Sequence, residues 1–324
     1  MTILDEIKTG LGDEWKRFEA FFREVLQNEV ELLNTVNNYL LDRRGKQLRP
    51  VLTLLTANSF NGGGQSVLVA AVMVEMVHTA SLLHDDVVDN ADQRRGAASV
   101  KRIWRSNIAV LTGDYWFATA SLLVTKYNET RLLPHFNTCM KAMTEGEIWQ
   151  LEKAQKLNIT EEEYYQIIGR KTAEFLALSM ICGAIVSDAD QAAVQRMHDI
   201  GYAMGMAFQI RDDIFDYERD NRSGKPAGND IREQKITLPL LYALQQVDEK
   251  ERQTILAHIR RARRRTKSVT KIIDFVRQHK GLEYAEKVMT DYSTKAATLL
   301  QTLPESPSRT ALADLAKFMT TRRE

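Results

Sequence analysis

Cysteine is nearly absent from this 324-residue chain, which carries only Cys139 and Cys182. Neither has CxxC or metal-site spacing, so a disulfide framework and a structural zinc site are excluded, and both read as reduced core residues. Prolines are also few, 6 against 16 glycines, and alternating β-branched stretches are almost missing, which argues against a strand-built fold. A net charge of +1 gives no reason to expect nucleic acid or an acidic polymer as partner. Any functional charge must therefore be local. No apolar run approaches the length needed to cross a bilayer; the longest, Ser66 to Val74, stops at Glu75. The first residues, Met1-Thr2-Ile3-Leu4-Asp5-Glu6, lack the basic and apolar regions of a secretory signal, so a cytoplasmic location is expected.

What the chain does have is helical spacing almost from end to end. Hydrophobic residues at 44% and charged residues at 27% suit a globular protein. From Trp15 to Leu41 the residues Phe18, Phe21, Phe22, Val25, Leu26, Val30, Leu33 and Val36 trace one helix face. Gly45 to Pro50 breaks it, a second helix starts at Pro50, and Phe60 to Gly64 is a loop. Further helices are expected over Ser66–Asp89, Gly113–Tyr127, Leu132–Leu151, from a Thr160–Glu163 capping box onward, over Ala189–Tyr217, and from Leu238. Asn90 to Gly96 and Glu218 to Thr237 read as polar loops. No linker and no solenoid repeat is visible. One all-α domain spanning 1–324, a bundle of antiparallel helices around a central cavity, is the expectation.

Chemistry concentrates in two stretches. Leu82-Leu83-His84-Asp85-Asp86-Val87-Val88-Asp89 places three carboxylates at the end of an apolar helix, and Gln209-Ile210-Arg211-Asp212-Asp213-Ile214-Phe215-Asp216 repeats the device. Each helical residue turns about 100°, so Asp85 and Asp89 share a face, with Asp86 to one side. Anions on an apolar helix are very costly unless cations neutralise them. Two such triplets facing each other would make a cage of oxygen ligands for a hard divalent metal, most plausibly Mg²⁺, completed by water and a substrate phosphate. Lys46, Arg49, Arg94, Arg95, Lys171, Lys225 and Lys235 supply the cations that binding a diphosphate demands.

These residues resemble the trans-isoprenyl (polyprenyl) diphosphate synthase family, of the long-chain type. The resemblance rests on GKQLRP at 45–50, His78 with LLHDDVVDNADQRRG ending at 96, and GD at 113–114. It continues through GEIWQ at 146–150, KT at 171–172 and FQIRDDIFDY with GKPAGND and a lysine over 208–235, in family order throughout. The resemblance implies an isoprenoid synthase type I fold and head-to-tail condensation of isopentenyl diphosphate with an allylic diphosphate. It also implies Mg²⁺ and a homodimer. Asp85 and Asp89 would hold metal that grips the allylic diphosphate, and Asp212 a further metal with Asp216 close by. Asp86 and Asp213 would act behind them or through a single oxygen. Arg94, Lys171, Lys225 and Lys235 would contact the allylic diphosphate. Lys46, Arg49, His78 and Arg95 would hold isopentenyl diphosphate, and Gln209 and Thr172 would turn oxygens toward the carbon where positive charge develops.

In this family the product grows along the helix before the first triplet, where Ser81 and Ala80, then Val77 and Met76, then Met73 are the blocking positions. With small residues at the first two, about 18 Å of helix stays open, and a product of about C35 to C50 is expected. Trp116, Phe117, Met140 and Met143 are floor candidates, though core packing explains them equally. His78 could be an ordinary core histidine, and His84 reads as structural rather than as a ligand. The run Arg260 to Arg265 reads as a solvated helix end, with attraction to an anionic membrane surface as a second reading. Gln234 stands where relatives usually have glycine, and Arg211 abuts the second triplet. A shorter-chain synthase, a class I terpene cyclase and a non-catalytic partner subunit are the alternatives.

Overall fold

The computed structural model describes residues 2–218 and 228–321. Fifteen helices account for nearly all of them: α1 Ile3–Val25, α2 Glu31–Asp42, α3 Leu48–Ser59, α4 Gln65–Val88 and, after a two-residue hairpin, α5 Val100–Lys126. Then come α6 Leu133–Lys156, α7 Glu161–Ile168, α8 Glu174–Ile185, α9 Gln191–Phe215, α10 Asn229–Arg232 and α11 Leu238–Gln245. The chain closes with α12 Glu249–Ala262, α13 Thr266–Gln278, α14 Gly281–Gln301 and α15 Pro307–Thr321. The hairpin pairs β1 Gln93–Arg94 with β2 Ala97–Ala98.

Contacts gather the chain into two compact units. One contains residues 1–136, 178–197 and 303–315; the other contains 137–177, 198–302 and 316–324. In the first unit α4 is the central element, packed chiefly on α5 and then on α3. Every residue from Val67 to Val77 is buried, Glu75 included, because this helix is apolar on all sides. Thr53 of α3 donates its hydroxyl to Ser179 O at 2.8 Å, closing α3 on the middle of α8. In the second unit α11, α12, α13 and α14 enclose a core with Leu240, Ile259, Ile272 and Val276. Tyr242 and Tyr284 stack there with ring centroids 4.1 Å apart.

Several stretches differ from the sequence expectation: α5 begins at Val100 rather than Gly113, and α10 lies within Glu218–Thr237, which read as a loop. The face read as one helix from Trp15 to Leu41 is two, because asparagines close the chain on itself between them. Asn28 Oδ1 accepts from Val30 N at 2.9 Å, and Asn37 Nδ2 donates to Leu26 O at 2.8 Å, satisfying the end of α1. The segment read as a loop over Asn90 to Gly96 contains β1 and its turn. There Arg95 and Gly96, at φ +54° and +76°, form the two left-handed central positions of a tight hairpin. Finally, α4 and α5 are by length and composition long and apolar enough to cross a bilayer, contrary to the expectation. That expectation counted unbroken apolar runs, whereas isolated polar residues such as Glu75 and His78 interrupt α4 without making it polar. The qualifying stretch of α4 is 72% buried inside the fold, the mark of a core helix.

Candidate active site

The first aspartate triplet lies at the C-terminal end of α4. Asp86 is buried and one of its oxygens, Oδ1, takes Arg94 of β1 twice, accepting from Nε at 2.8 Å and lying 2.6 Å from Nη2 in an ion pair. Asp85 and Asp89 lie on another face of the helix, as the 100° rotation predicts. The turn that lifts Arg94 also aims Arg95 back at residue 45. A Cβ on Gly45 would stand 2.2 Å from the Arg95 guanidinium carbon, so glycine is what leaves that group room. Arg49 on α3 lies 3.0 Å from His78 Nε2. Burial, then the charges of Arg49, Arg95 and Arg94, hold His78 well below the usual histidine range, so it is neutral and its Nε2 accepts. The structure thus gathers Arg49, His78, Arg94 and Arg95 in one region, while Lys46 is exposed at the turn before α3.

The second triplet ends α9, and its partners differ. Asp213 is buried and accepts from the Tyr164 hydroxyl at 2.6 Å and from Gln209 Nε2 at 2.9 Å. Asp216 accepts the backbone N–H groups of Asn229 and Asp230 at 2.7 and 3.0 Å, where α10 begins. Burial pushes the Asp213 carboxyl up to about 7, against those hydrogen bonds, and the charges of Asp212 and Asp216 add to the rise. Thr172 donates to Gln209 Oε1 at 2.7 Å. Both lie where α9 comes very close to the turn before α8: a Cβ on Gly205 would sit 2.5 Å from Ala173 Cα. Gly169–Ala173 is a π-helical turn, a register shift common at functional sites, and it carries Lys171 and Thr172. Lys171 is held from α6 by Gln150 at 2.9 Å and by an ion pair with Glu147, which explains the GEIWQ motif. Lys235 pairs with Glu233 at 2.6 Å and lines a small cavity with Gln150 and Tyr164.

The remaining expectations sort as follows. Lys225 lies outside the described residues. Gln234 holds φ +62°, a backbone shape that glycine adopts most readily. Arg211 pairs with Glu218 at 3.3 Å and covers the Phe215 ring at 3.9 Å. His84 is structural: its Nε2 lies 3.1 Å from Val110 O, and a Cβ on Gly113 would clash with it. Ala80, Val77, Met76 and Met73 are fully buried, and Ser81 Oγ donates to His78 O at 2.8 Å. Trp116 is not on that side of α4. It donates to Asn37 Oδ1 at 2.9 Å and meets Phe22 edge-on, so it is core packing. The sequence reading missed Glu75, Tyr164 and Asp230. Only Asp230, in the GND stretch beside a lysine, left a local signal.

The carboxylates of both triplets are oxygen donors alone, the chemistry of hard divalent cations. Among the described residues Asp213 is met by a tyrosine hydroxyl and a glutamine amide, which bring no positive charge, and a divalent cation would relieve its burial. Among the described residues no three His, Cys, Asp or Glu side chains converge as a ready-made cage, so water and substrate oxygens would complete the shell.

Residues 30–276 match the polyprenyl synthetase family. The chain belongs to that family. It is 31% identical over 320 residues to octaprenyl diphosphate synthase of Escherichia coli K12, covering 98% of this chain and 99% of the relative. Among solved structures, a decaprenyl diphosphate synthase from Rhodobacter capsulatus superposes with a TM-score of 0.92, at 34% identity and 99% coverage of both chains. A polyprenyl synthase from Caulobacter crescentus CB15, complexed with calcium and isoprenyl diphosphate, gives 0.91 at 31% identity, covering 99% of this chain and 98% of that one. The chain is therefore a trans-prenyltransferase with the all-α isoprenoid synthase fold. Its relatives are mainly long-chain synthases.

Proposed function

We propose that the enzyme condenses isopentenyl diphosphate head-to-tail with an allylic diphosphate such as farnesyl or geranylgeranyl diphosphate, releasing a long-chain all-trans-polyprenyl diphosphate. The observation that supports this most is the network of the second unit. A lysine held by Gln150 and Glu147, the Thr172–Gln209 oxygen pair and the Asp213–Tyr164 pair are tied together there. A leaving diphosphate and a developing allylic cation need those groups: a cationic donor on one, oxygen dipoles toward the other.

Asp85, Asp89 and Asp212 are the residues that would hold Mg²⁺, with Asp86, Asp213 and Asp216 behind them; the bound metal would weaken the bond between the diphosphate and its hydrocarbon. Lys171, Lys235, Lys225 and Arg94 take phosphate oxygens of the allylic substrate. Heterolysis sends the electron pair to the leaving diphosphate and leaves a carbocation. Thr172 and Gln209 face that charge with oxygens. Lys46, Arg49, His78 and Arg95 fix isopentenyl diphosphate so that its alkene attacks the cation, and the departing diphosphate takes the proton then lost. No side chain among these is a strong base. Ala80 and Ser81 leave the growing chain roughly 18 Å along α4, down to Met73, for a product of about C35 to C50.

The chain acts as a single catalytic domain, in the cytoplasm and as a homodimer. Leu111 and Leu122, 61% and 69% exposed and three turns apart on the same face of α5, support association with a second copy. Incubation with Mg²⁺, farnesyl diphosphate and labelled isopentenyl diphosphate is the test. Label should enter an extended diphosphate, and chelation should stop it; a cyclised hydrocarbon or no incorporation would refute the reading.

A further inference from the structure

Glu75 is the one acid in a helix stretch that is otherwise apolar, and nothing in the proposed reaction uses it. It is 2% exposed, and its Oε2 accepts no hydrogen bond. A carboxylate in that position would ordinarily be eliminated or fully bonded. Cations surround it from four elements: Lys8 of α1, Arg44 after α2, Arg49 of α3 and Arg95 of the hairpin turn. It also lines a cavity of about 50 Å³ with Arg43, Arg44, Arg94, Arg95 and Asp86. That volume has room for water, hence for a proton to arrive. Arg95 is exposed as a residue, yet its guanidinium is partly desolvated, and Glu75 is the leading charge that offsets this.

We propose that Glu75 is the internal counter-anion of Arg49 and Arg95, neutralising them while the isopentenyl diphosphate pocket is empty and accepting a proton when the diphosphate takes over that task. The inference rests on the assignment of Arg49 and Arg95 to isopentenyl diphosphate. Its logic is charge replacement. Arg49 is half-buried and Arg95 exposed, yet both lie near the buried Glu75; two neighbouring like charges repel, so the empty pocket gains from a carboxylate close by. When a multiply charged anion binds the same two guanidinium groups, the carboxylate becomes a like charge beside it, and like charge favours protonation. One proton passes from solvent to a carboxylate oxygen, and no other bond changes. Burial already pushes the Glu75 carboxyl up to about 7, against the pull of the surrounding cations, so a nearby anion has only a short way to move it.

Binding of isopentenyl diphosphate alone, without allylic substrate, separates this role from a structural one. At pH 8, where the free diphosphate is already ionised, calorimetry in two buffers of different ionisation heat should show net proton uptake by the wild-type enzyme. Glu75→Gln should abolish it, and Glu75→Asp should restore part of it. The ratio of wild-type to Glu75→Gln dissociation constants should rise several-fold from pH 6 to pH 8, by at most about tenfold per pH unit for one linked proton. KM for the allylic diphosphate should stay within about twofold, which also reports that the variant is folded. No proton uptake by the wild type, or a ratio that does not change with pH, would overturn the proposal. Arg95→Ala guards the underlying assignment and should weaken isopentenyl diphosphate binding by at least about tenfold. If it does and Glu75→Gln leaves the pH slope intact, the Glu75 inference alone fails; if Arg95→Ala changes nothing, the pocket assignment fails and takes the inference with it.

Discussion

Asp86 and Asp213 hold the same place in their motifs, second of three aspartates, and both are 3% exposed. Their surroundings are nevertheless opposite. Asp86 is neutralised by Arg94, whose Nε and Nη2 both reach its Oδ1, whereas Asp213 is satisfied by a tyrosine hydroxyl and a glutamine amide that bring no charge. One motif repeated in one chain therefore does not repeat its electrostatics. At the end of α4 the negative charge is already balanced on one side. At the end of α9 it accumulates, with Asp216 and Asp230 nearby, both raised in proton affinity first by burial. The helices differ as well: five and four residues before Asp85 stand Ala80 and Ser81, while Ala207 and Phe208 hold those places before Asp212. Only the α4 side keeps both positions small, and that is the side on which the resemblance to the family places the growing chain.

The widest-reaching way to break this comparison is to remove one carboxylate from each motif. Asp85→Asn and Asp212→Asn should each lower kcat by about 10²- to 10³-fold, because in the proposed reaction both would hold the metal that helps the diphosphate leave. Steady-state turnover at saturating Mg²⁺ checks this, and a mild effect at either position would make that motif an accessory. Ala80→Tyr should shorten the product with little loss of total incorporation, as product chromatography would show. An unchanged chain length would remove the asymmetry between α4 and α9.

Stability separates the two motifs further. Arg94→Ala leaves the buried Asp86 without its cation and should cost about 2–3 kcal/mol, the low end for a buried pair because Arg94 is partly exposed. Tyr164→Phe removes one neutral hydrogen bond and should cost about 1–2 kcal/mol. Chemical denaturation would read both, and equal costs would mean that the arginine adds nothing beyond a hydrogen bond. The smallest effect is a control away from either triplet. His198 faces Glu174 at 3.4 Å and Asp199 at 3.1 Å, and the Glu174 hydrogen bond raises its proton affinity above the usual histidine value. Its contribution is thus fully present below the unfolded value near 6.5 and is lost as pH rises through the higher folded value. His198→Gln should lower Tm at pH 6 and leave it unchanged at pH 9.

Much of the site could be read from the sequence because its residues fall in short motifs. The capping box at Thr160 and Glu163 forms as expected, with Thr160 N donating to the Glu163 carboxylate at 2.9 Å. The rotation of Asp86 off the Asp85–Asp89 face follows from helix geometry alone. Other features depended on partners far along the chain. The break between α1 and α2 comes from asparagine side chains that periodicity does not register. The role of GEIWQ becomes plain only when α6 meets the π turn, and Tyr164 looks like any helix tyrosine until Asp213 arrives 49 residues later. Glu75 was hidden for the opposite reason: a single charge in an apolar run reads as the end of the run, not as a group enclosed by arginines.

The most direct measurement follows diphosphate release and label incorporation together, with Mg²⁺, farnesyl diphosphate and labelled isopentenyl diphosphate. The account predicts one diphosphate released for each isopentenyl unit added, in a single extended product. Release without incorporation, or incorporation that persists in Asp85→Asn and Asp212→Asn, would contradict it.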